Sequence, residues 1–269
     1  MSEEIKDEKV YSFSRINGFA LAEKGEGCFY NWFKTYIEGD RGENNYFGEY
    51  GTLFHETIEK LMKNELFEWD IKNELNSKMK QFEFKPPFLA MGKSYVDSIH
   101  RFFTDGSYSE IFSQYQVLES EEKKIFKVGD ILVTGFPDLV ANHKKYGLVI
   151  ADYKTAKKYE GDKLEHNIMQ LYLYSIPIKE KYGKYPDYLI YIYPREKGKK
   201  EFAYPFEVKK LEKTKQWVID TVKKIESHGD WTPRCVNVDG TKDFFACNLC
   251  NHRNNCEHRN DYTKNNFVF

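Results

Sequence analysis

Apolar residues recur at intervals of three and four along the first third of the chain, which is the spacing of one helix face. This pattern predicts helices over residues 12–21, 29–37 and 90–103. A stronger helix is expected to begin near Thr52, because threonine is a favourable N-cap and an apolar stripe follows it. Near Val117 the period shortens to two, which indicates strands and a change of architecture.

The second half of the chain predicts strands alternating with helices. We expect a helix over residues 164–176, with Asp162 as its cap, and another over 211–227. The strands are expected over residues 117–125, 131–140, 147–154, 188–193 and 202–208. Strands and helices in this order predict an α/β core.

Two carboxylates and a lysine lie on what the pattern predicts to be paired strands. Asp138 follows Gly135-Phe136-Pro137, and Asp152 precedes Lys154 by two residues, so that Asp152 and Lys154 share one face of their strand. Tyr153 and its alternate neighbours are expected to pack on the other face. The polar segment 142–147 predicts a hairpin loop that would return Asp138 to the side of Asp152. Two such carboxylates repel each other unless a cation lies between them.

This equipment suits the cleavage of a phosphodiester. The anionic oxygens of that bond repel nucleophiles, and a divalent metal ion both neutralises charge and supplies hydroxide. The carboxylates of Asp138 and Asp152 suit Mg²⁺ or Mn²⁺, and the backbone carbonyl of Tyr153 could add a ligand. Lys154 would orient the attacking water and stabilise developing negative charge.

Charged residues elsewhere in the chain give weaker indications of function. The formal net charge is −1, so binding of a polyanion would depend on local clusters. Residues 154–158 are well placed for a phosphate backbone, whereas residues 195–200 are interpreted as a solvated hairpin tip. Glu119, Glu121 and Glu122 could supply a further acidic ligand, but a solvated strand start is favoured.

The length of 269 residues, with 41% hydrophobic residues, suffices for one large domain. We expect a helical N-terminal part (11–116), an α/β catalytic core (117–208), and a C-terminal helix with a cysteine-rich tail (209–258). No segment approaches the roughly 20 apolar residues of a membrane span, and the start is acidic and polar. The sequence therefore predicts a soluble, cytoplasmic protein without a membrane partner.

The cysteines indicate a metal centre. They are Cys28, Cys235, Cys247, Cys250 and Cys256. The last three form C-x2-C-x5-C, a spacing that lets one compact turn present several thiolates to a common centre. Disulfides are disfavoured, because no export signal is seen and thiols stay reduced in the cytosol. His252 or His258 would complete a zinc site, whereas an iron–sulfur cluster would take Cys28 or Cys235 as its fourth thiolate.

Six motifs occur along the chain in a characteristic order. They are Ser12-Phe13-Ser14-Arg15 leading to Cys28-Phe29-Tyr30-Asn31-Trp32-Phe33, Gly51-Thr52-Leu53-Phe54-His55, Gly135-Phe136-Pro137-Asp138, Asp152-Tyr153-Lys154, Gln170-Leu171-Tyr172-Leu173-Tyr174, and the C-terminal cysteine triplet. In these the chain resembles the RecB-type nucleases of the PD-(D/E)xK superfamily, in the iron–sulfur branch that includes the CRISPR-associated four-cysteine exonucleases and the nuclease of AddB. The resemblance runs from about Ser12 to Cys256.

The resemblance implies a restriction-endonuclease-like mixed sheet flanked by helices, and it assigns site residues. A [4Fe-4S] cluster would be held by Cys28, Cys247, Cys250 and Cys256, leaving Cys235 over. His55, Asp138, Asp152 and the carbonyl of Tyr153 would hold Mg²⁺ or Mn²⁺, Lys154 would be the catalytic lysine, and Gln170 and Tyr174 would bind substrate. Two departures from the family pattern are Tyr30-Asn31, where a proline or basic residue often follows the first cysteine, and Asp152, where many members have glutamate.

Taken without the resemblance, some of these residues have simpler interpretations. His55 would be a histidine at a helix edge, and Gln170 and Tyr174, which would share a helix face with His166, would be a flank facing water. The functional alternative for this flank is a polar stripe that holds the DNA backbone or bridges to Lys154.

The predicted function is a metal-dependent DNA nuclease, an exonuclease in DNA processing, recombination or repair. No G-x-x-x-x-G-K-[ST] loop is present, so a helicase or recombination partner would be a separate chain. The alternatives are a CRISPR spacer-processing nuclease, a nucleic-acid-binding module with a vestigial metal site, and a zinc-stapled interaction protein.

Overall fold

A five-stranded mixed sheet lies between two groups of helices in the computed structural model, which describes residues 9–71, 73, 74, 77, 89–233, 247 and 249–258. The strands are β1 (Val10–Ser12), β2 (Tyr115–Ser120), β3 (Lys124–Val128), β4 (Ile131–Gly135), β5 (Leu139–His143), β6 (Gly147–Tyr153), β7 (Tyr188–Ile192) and β8 (Glu201–Pro205). The large sheet has the order β2-β5-β6-β7-β8, and a small sheet has the order β1-β4-β3. The predicted α/β fold is confirmed.

The helices are α1 (Phe13–Glu23), α2 (Phe29–Tyr36), α3 (Tyr46–Met62), α4 (Leu89–Thr104), α5 (Ser107–Phe112), α6 (Gly161–Asn167), α7 (Met169–Tyr182) and α8 (Val208–Ser227). Ser12 caps α1 by accepting a hydrogen bond from the backbone N–H of Arg15. No helix among the described residues is both long and apolar enough to cross a membrane.

Both faces of the central strand β6 are packed. Val149, Ala151 and Tyr153 lie in an apolar cluster with α3 and α4. Leu148 and Ile150, on the opposite face, lie in the cluster formed with α1, α7 and α8. The prediction that one face packs while the other does chemistry is therefore wrong for most of β6, because both of its faces are buried. Asp152 lies at the end of this strand, and Lys154 lies just beyond it.

The predicted hairpin between β5 and β6 is confirmed. These strands are antiparallel, with Leu139 opposite Ala151 and His143 opposite Gly147. The next position outward along this ladder sets Asp138 beside Asp152. β6 then pairs in parallel with β7, so the ends of both strands lie at the same edge of the sheet.

The predicted strand over residues 131–140 is in fact two strands in different sheets. β4 ends at Gly135, and β5 begins at Leu139 after the Phe136-Pro137-Asp138 connection. Proline has no N–H to donate to a ladder, so the chain changes sheets at this point. Similarly, the predicted strand 117–125 divides into β2 and β3 around Glu121, whose φ is +52°.

Two predictions about helix starts are wrong. α3 begins earlier than expected, at Tyr46, because Asn45 accepts hydrogen bonds from the N–H groups of Phe47 and Gly48, so Thr52 lies within the helix. The predicted helix 164–176 is two helices separated at Ile168, and Asp162 lies in the first turn of α6 rather than at its cap.

Candidate metal centre and active site

Several elements meet where β5 begins and β6 ends. Asp138 directly precedes β5, and Asp152 is in the last pair of residues of β6, followed two positions later by Lys154. α3 crosses this edge and presents His55, while the turn after β2 presents Glu121. The site is therefore assembled from four elements that are distant in sequence.

A glycine lies where α3 approaches the end of β6 closely. A Cβ on Gly51 would lie 3.3 Å from the hydroxyl oxygen of Thr155, just beyond the end of β6. One turn further along α3, the ring of His55 lies 5.6 Å from the ring of Tyr153, measured between centroids. The Gly51-to-His55 motif thus combines a small residue at the contact with a potential metal ligand one turn away.

Three side chains place potential metal-ligand atoms close together, and we call these atoms the ligand set. The ligand atoms of His55, Glu121 and Asp138 all lie within 4.8 Å of one another. Nδ1 of His55 is 3.5 Å from a carboxylate oxygen of Glu121 and 3.5 Å from one of Asp138. The other ring nitrogen of His55 is 3.1 Å from the carbonyl oxygen of Tyr153. Two predicted ligands, His55 and Asp138, are thereby brought together with Glu121, while the carbonyl of Tyr153 lies at the opposite ring nitrogen of His55.

The three glutamates after β2 have three different surroundings. Glu121 faces the site, and its backbone N–H donates to the carbonyl of Pro137 at 3.1 Å, next to Asp138. Glu119 is buried and ion-paired with Lys124 and Lys181. Glu122 is half exposed, as expected for a solvated residue. The solvated interpretation is thus wrong for Glu119 and Glu121, because tertiary contacts that spacing does not encode turn these side chains inward.

Asp152 is near this set but is paired with Lys154. Its carboxylate oxygens lie 2.8 and 3.0 Å from Nζ of Lys154, and the residue is 1% exposed. Asp138 instead accepts a hydrogen bond from the backbone N–H of Tyr153 at 2.7 Å. The D-x-K motif therefore forms an internal ion pair, and one carboxylate of the hairpin pair joins the ligand set.

The electrostatics of the site favour a cation. Burial and the charge of Asp138 raise the pKa of Asp152 to about 6, although Lys154 opposes the rise. Burial also raises the pKa of Asp138. Desolvation disfavours protonated His55, but the charge of Asp138 and the hydrogen bond to Glu121 outweigh it and raise its pKa to about 9. The positive charges of a protonated His55 and of Lys154 thus partly compensate the carboxylates of Glu121, Asp138 and Asp152.

The donor set fits a hard divalent ion. Carboxylate oxygens of Glu121 and Asp138 are the ligands that Mg²⁺ and Mn²⁺ prefer, and an imidazole such as that of His55 is accepted by Mn²⁺. An ion bound among these atoms would replace the proton on His55 as the compensating charge.

The Gln170/Tyr174 pair extends the site onto α7. Nζ of Lys154 is 3.5 Å from the side-chain oxygen of Gln170, whose amide donates to the hydroxyl of Tyr174 at 3.0 Å. Tyr174 is 5% exposed, so its interpretation as part of a water-facing flank is wrong. His166 does not share this face, because it lies in α6 with its ring against Trp217. The structure shows the contact with Lys154, and binding of the DNA backbone by this pair stays a prediction.

Three cysteine side chains gather where the C-terminal segment packs on the start of α2. Cys28 directly precedes α2, and the thiol of Cys250 lies 3.2 Å from the side-chain oxygen of Asn31 in its first turn. Burial raises the pKa of Cys250 to about 11, and the nearby Cys28 and Cys256 add to the rise. Asn31, a departure from the family pattern, thus contacts one of the predicted ligands.

Hydrogen bonds to backbone carbonyls fasten this segment to the loop before α3. The N–H of Glu43 donates to the carbonyl of Asn251 at 2.8 Å, and the guanidinium of Arg253 donates to the carbonyls of Glu43 and Asn44 at 2.7 and 2.9 Å. Gly42 is required in the same loop, because its φ is +60° and a Cβ would lie 2.5 Å from the carbonyl of Asn251. The cysteine-bearing tail is therefore held against the N-terminal part.

The remaining cysteines differ in state. Cys247 is buried and takes part in a disulfide, so it would have to be reduced before it could ligate a metal. Cys235, expected to be left over, lies outside the described residues.

The two histidines of the zinc alternative have other contacts. The ring nitrogens of His252 are 3.6 Å from Asp40 and 3.5 Å from the hydroxyl of Thr35. The ring of His258 lies 4.6 Å from that of Tyr30. Zinc bound by thiolates at about 2.3 Å holds its sulfurs less than roughly 4 Å apart. Within the described part of the chain, however, no thiol belongs to a set of three ligand atoms within 4.8 Å.

A family model for the PD-(D/E)XK nuclease superfamily matches residues 12–257, nearly the whole chain. This chain belongs to the PD-(D/E)XK nuclease superfamily. Its mixed sheet flanked by helices is the restriction-endonuclease-like fold, as expected. Nucleases of this superfamily use divalent metal ions, in agreement with the acidic set around His55.

Among solved structures, this PD-(D/E)XK nuclease is similar to a protein from Eubacterium rectale provisionally described as an exonuclease. The identity is 11% and the TM-score 0.51, over 100% of this chain and 95% of that chain. The structure of SSO0001 aligns with 71% of this chain and 95% of that chain at 16% identity, with a TM-score of 0.31. A search of curated proteins found no match. The likeness at 11% identity shows the fold alone.

Proposed function

We propose that the protein is a metal-dependent deoxyribonuclease that acts as an exonuclease. The observation that carries this proposal is the set of His55, Glu121 and Asp138 ligand atoms within 4.8 Å of one another, beside an ion-paired Asp152 and Lys154. A vestigial binding module would not be expected to keep both a compact ligand set and a desolvated lysine directed at it.

Each side chain has a role that follows from its surroundings. A divalent ion bound by His55, Glu121 and Asp138 would supply Lewis acidity and a hydroxide at neutral pH. Asp138 and Asp152 keep the pKa of Lys154 above its usual value against the effect of desolvation, so this lysine stays charged and can stabilise negative charge on the phosphate. Gln170 limits the positions that Nζ of Lys154 can take, and Tyr174 positions Gln170.

We further propose that Cys28, Cys247, Cys250 and Cys256 hold a [4Fe-4S] cluster, which places the protein in the iron–sulfur branch of the superfamily. Each thiolate of such a cluster binds a different iron, so the sulfurs lie further apart than around one zinc ion. The gathered thiols of Cys28, Cys250 and Cys256 support this ligand set. The cluster would join the tail to the start of α2, next to the backbone hydrogen bonds that already fasten it.

The nuclease proposal is tested with end-labelled linear DNA, single- and double-stranded, incubated with Mn²⁺ or Mg²⁺. We expect metal-dependent release of labelled nucleotides by the wild-type protein, and a loss of at least about a hundredfold in the isosteric variant Asp152→Asn, which cannot pair with Lys154 in the same way. DNA binding by this variant should persist. Full activity in Asp152→Asn, or activity that survives a chelator, would exclude the proposed site.

A further inference from the structure

Two basic segments that are far apart in the sequence lie side by side at the end of the sheet. The guanidinium of Arg195 donates to the carbonyl of Thr155 at 3.4 Å. The backbone N–H of Lys158 donates to the carboxylate of Glu196 at 3.1 Å. The ammonium groups of Lys158 and Lys199 both lie over the ring of Phe202, at 4.6 and 5.2 Å from its centroid. Residues 157–160 and 195–200 therefore form one surface, which we call the basic surface.

The basic surface has a strong excess of positive charge. It carries six cations, namely Lys157, Lys158, Arg195, Lys197, Lys199 and Lys200, against two carboxylates, Glu160 and Glu196. Glu160 pairs with Lys158 at 2.7 Å, and Glu196 accepts from a backbone N–H. Within the part of the chain that the structure describes, the exposed Lys157, Lys197 and Lys199 form no ion pair. Their charge is thus available to an anion from solution.

This surface begins at the active site. The N–H of Lys154 donates to the carbonyl of Ile192 at 2.9 Å, so the ends of β6 and β7 lie side by side. One basic segment follows β6 within a few residues, and the other follows β7. Arg195 is held in place by stacking on Tyr95 of α4, 4.1 Å from the ring centroid. A DNA strand whose scissile phosphate lay near Lys154 would place its next phosphates beside Arg195 and the exposed lysines of these two segments.

We propose that the basic surface binds the phosphate backbone of the DNA strand that enters the active site. The proposal rests on the proposed nuclease function. Such contacts add affinity that does not depend on sequence, and their signature is a fall of affinity with salt concentration. A net charge of −1 gives the whole protein no comparable attraction, so binding is concentrated at this surface.

The test uses three substitutions together, Lys157→Gln, Lys197→Gln and Lys199→Gln, made in the inactive Asp152→Asn background. The matched control makes the same change of charge on α8, at the exposed residues Lys209, Lys213 and Lys223. The dissociation constant for a labelled oligonucleotide is measured between about 50 and 200 mM salt, and a melting curve by circular dichroism checks that each variant is folded.

We expect the basic-surface variant to bind the oligonucleotide at least about tenfold more weakly at 100 mM salt. The slope of the logarithm of the binding constant against the logarithm of the salt concentration should become shallower by roughly two, since each phosphate contact contributes about 0.7–0.9 to that slope. The control should keep the original slope. An unchanged slope in the basic-surface variant, or an equal loss in the control, overturns the proposal. If the slope falls as expected but wild-type protein cleaves neither DNA nor bis(p-nitrophenyl) phosphate with Mn²⁺, the nuclease function fails and the binding surface stands.

Discussion

Tyr174 lies so close to Gly135 that a Cβ on the glycine would be 2.2 Å from the tyrosine ring. Gly135 ends β4, three residues before Asp138, and Tyr174 ends the chain of contacts that runs through Gln170 to Lys154. The backbone of Gly135 is not in the left-handed region, so its φ does not require glycine. A glycine is needed at this position because a larger side chain would overlap the ring of Tyr174.

Replacement Gly135→Ala should displace the Tyr174 ring and weaken the hydrogen bond to Gln170. We expect the free energy of unfolding to fall by about 1–3 kcal/mol, since the ring is buried, and nuclease activity to fall as Lys154 loses its support. Denaturant unfolding and DNA digestion measure the two effects. In a Tyr174→Ala background the same replacement should cost little, and independent, additive effects would contradict the proposed contact.

Glu121 should prove to be a metal ligand. Glu121→Gln keeps the shape of the side chain but removes its charge. We expect this variant to bind Mn²⁺ at least about tenfold more weakly, because mutating even the residues that support metal ligands costs about that much in metal affinity. Titration calorimetry with Mn²⁺ measures this affinity. The neighbouring Glu122→Gln is the matched control. Equal losses of Mn²⁺ affinity in the two variants would show that Glu121 is not a metal ligand.

Cluster ligation can be separated from zinc binding by spectroscopy. Protein purified without oxygen should be coloured and contain about four irons per chain, and Cys28→Ser or Cys250→Ser should abolish both properties. Cys235→Ser, the cysteine expected to be left over, should retain them. A colourless protein with one zinc per chain would exclude the cluster. A reductant should be needed for assembly, because Cys247 must be released from its disulfide.

Glu119 should stabilise the fold in a pH-dependent manner. Burial opposes its ionisation, but hydrogen bonds from Lys124, Lys181 and Tyr182 outweigh this and lower its pKa to about 2 from 4.5. A depressed pKa in the folded state means that the stabilisation is complete above about pH 4.5 and is lost as the pH falls towards 2.

The variant Glu119→Gln should therefore lower the free energy of unfolding at pH 7 by roughly 1.5–3 kcal/mol, and this difference from wild type should shrink between pH 4.5 and 2. Urea unfolding at several pH values measures it. A difference that is independent of pH across this interval would show that the carboxylate charge is not what stabilises the protein. Nuclease activity at pH 7 should be little affected, since Glu119 is not in the ligand set.

Much of this architecture was determined by the sequence alone, because it depends on neighbours along the chain. The period-two pattern and the polar loop defined the β5–β6 hairpin, and with it the pairing of Asp138 and Asp152. The spacing that pairs Asp152 with Lys154 is likewise a local property. Alternation along a strand fixes which side chains share a face, whatever the rest of the fold does.

Tertiary structure decided what local pattern does not encode. Periodicity did not distinguish Glu121, whose carboxylate lies beside the potential ligands His55 and Asp138, from Glu119, which is buried in an ion pair. It did not show that residues 131–140 divide between two sheets, or that residues 195–200 lie against the end of β6. These outcomes depend on which surfaces pack together across long separations in the chain, and a periodic pattern specifies a face without specifying its partner.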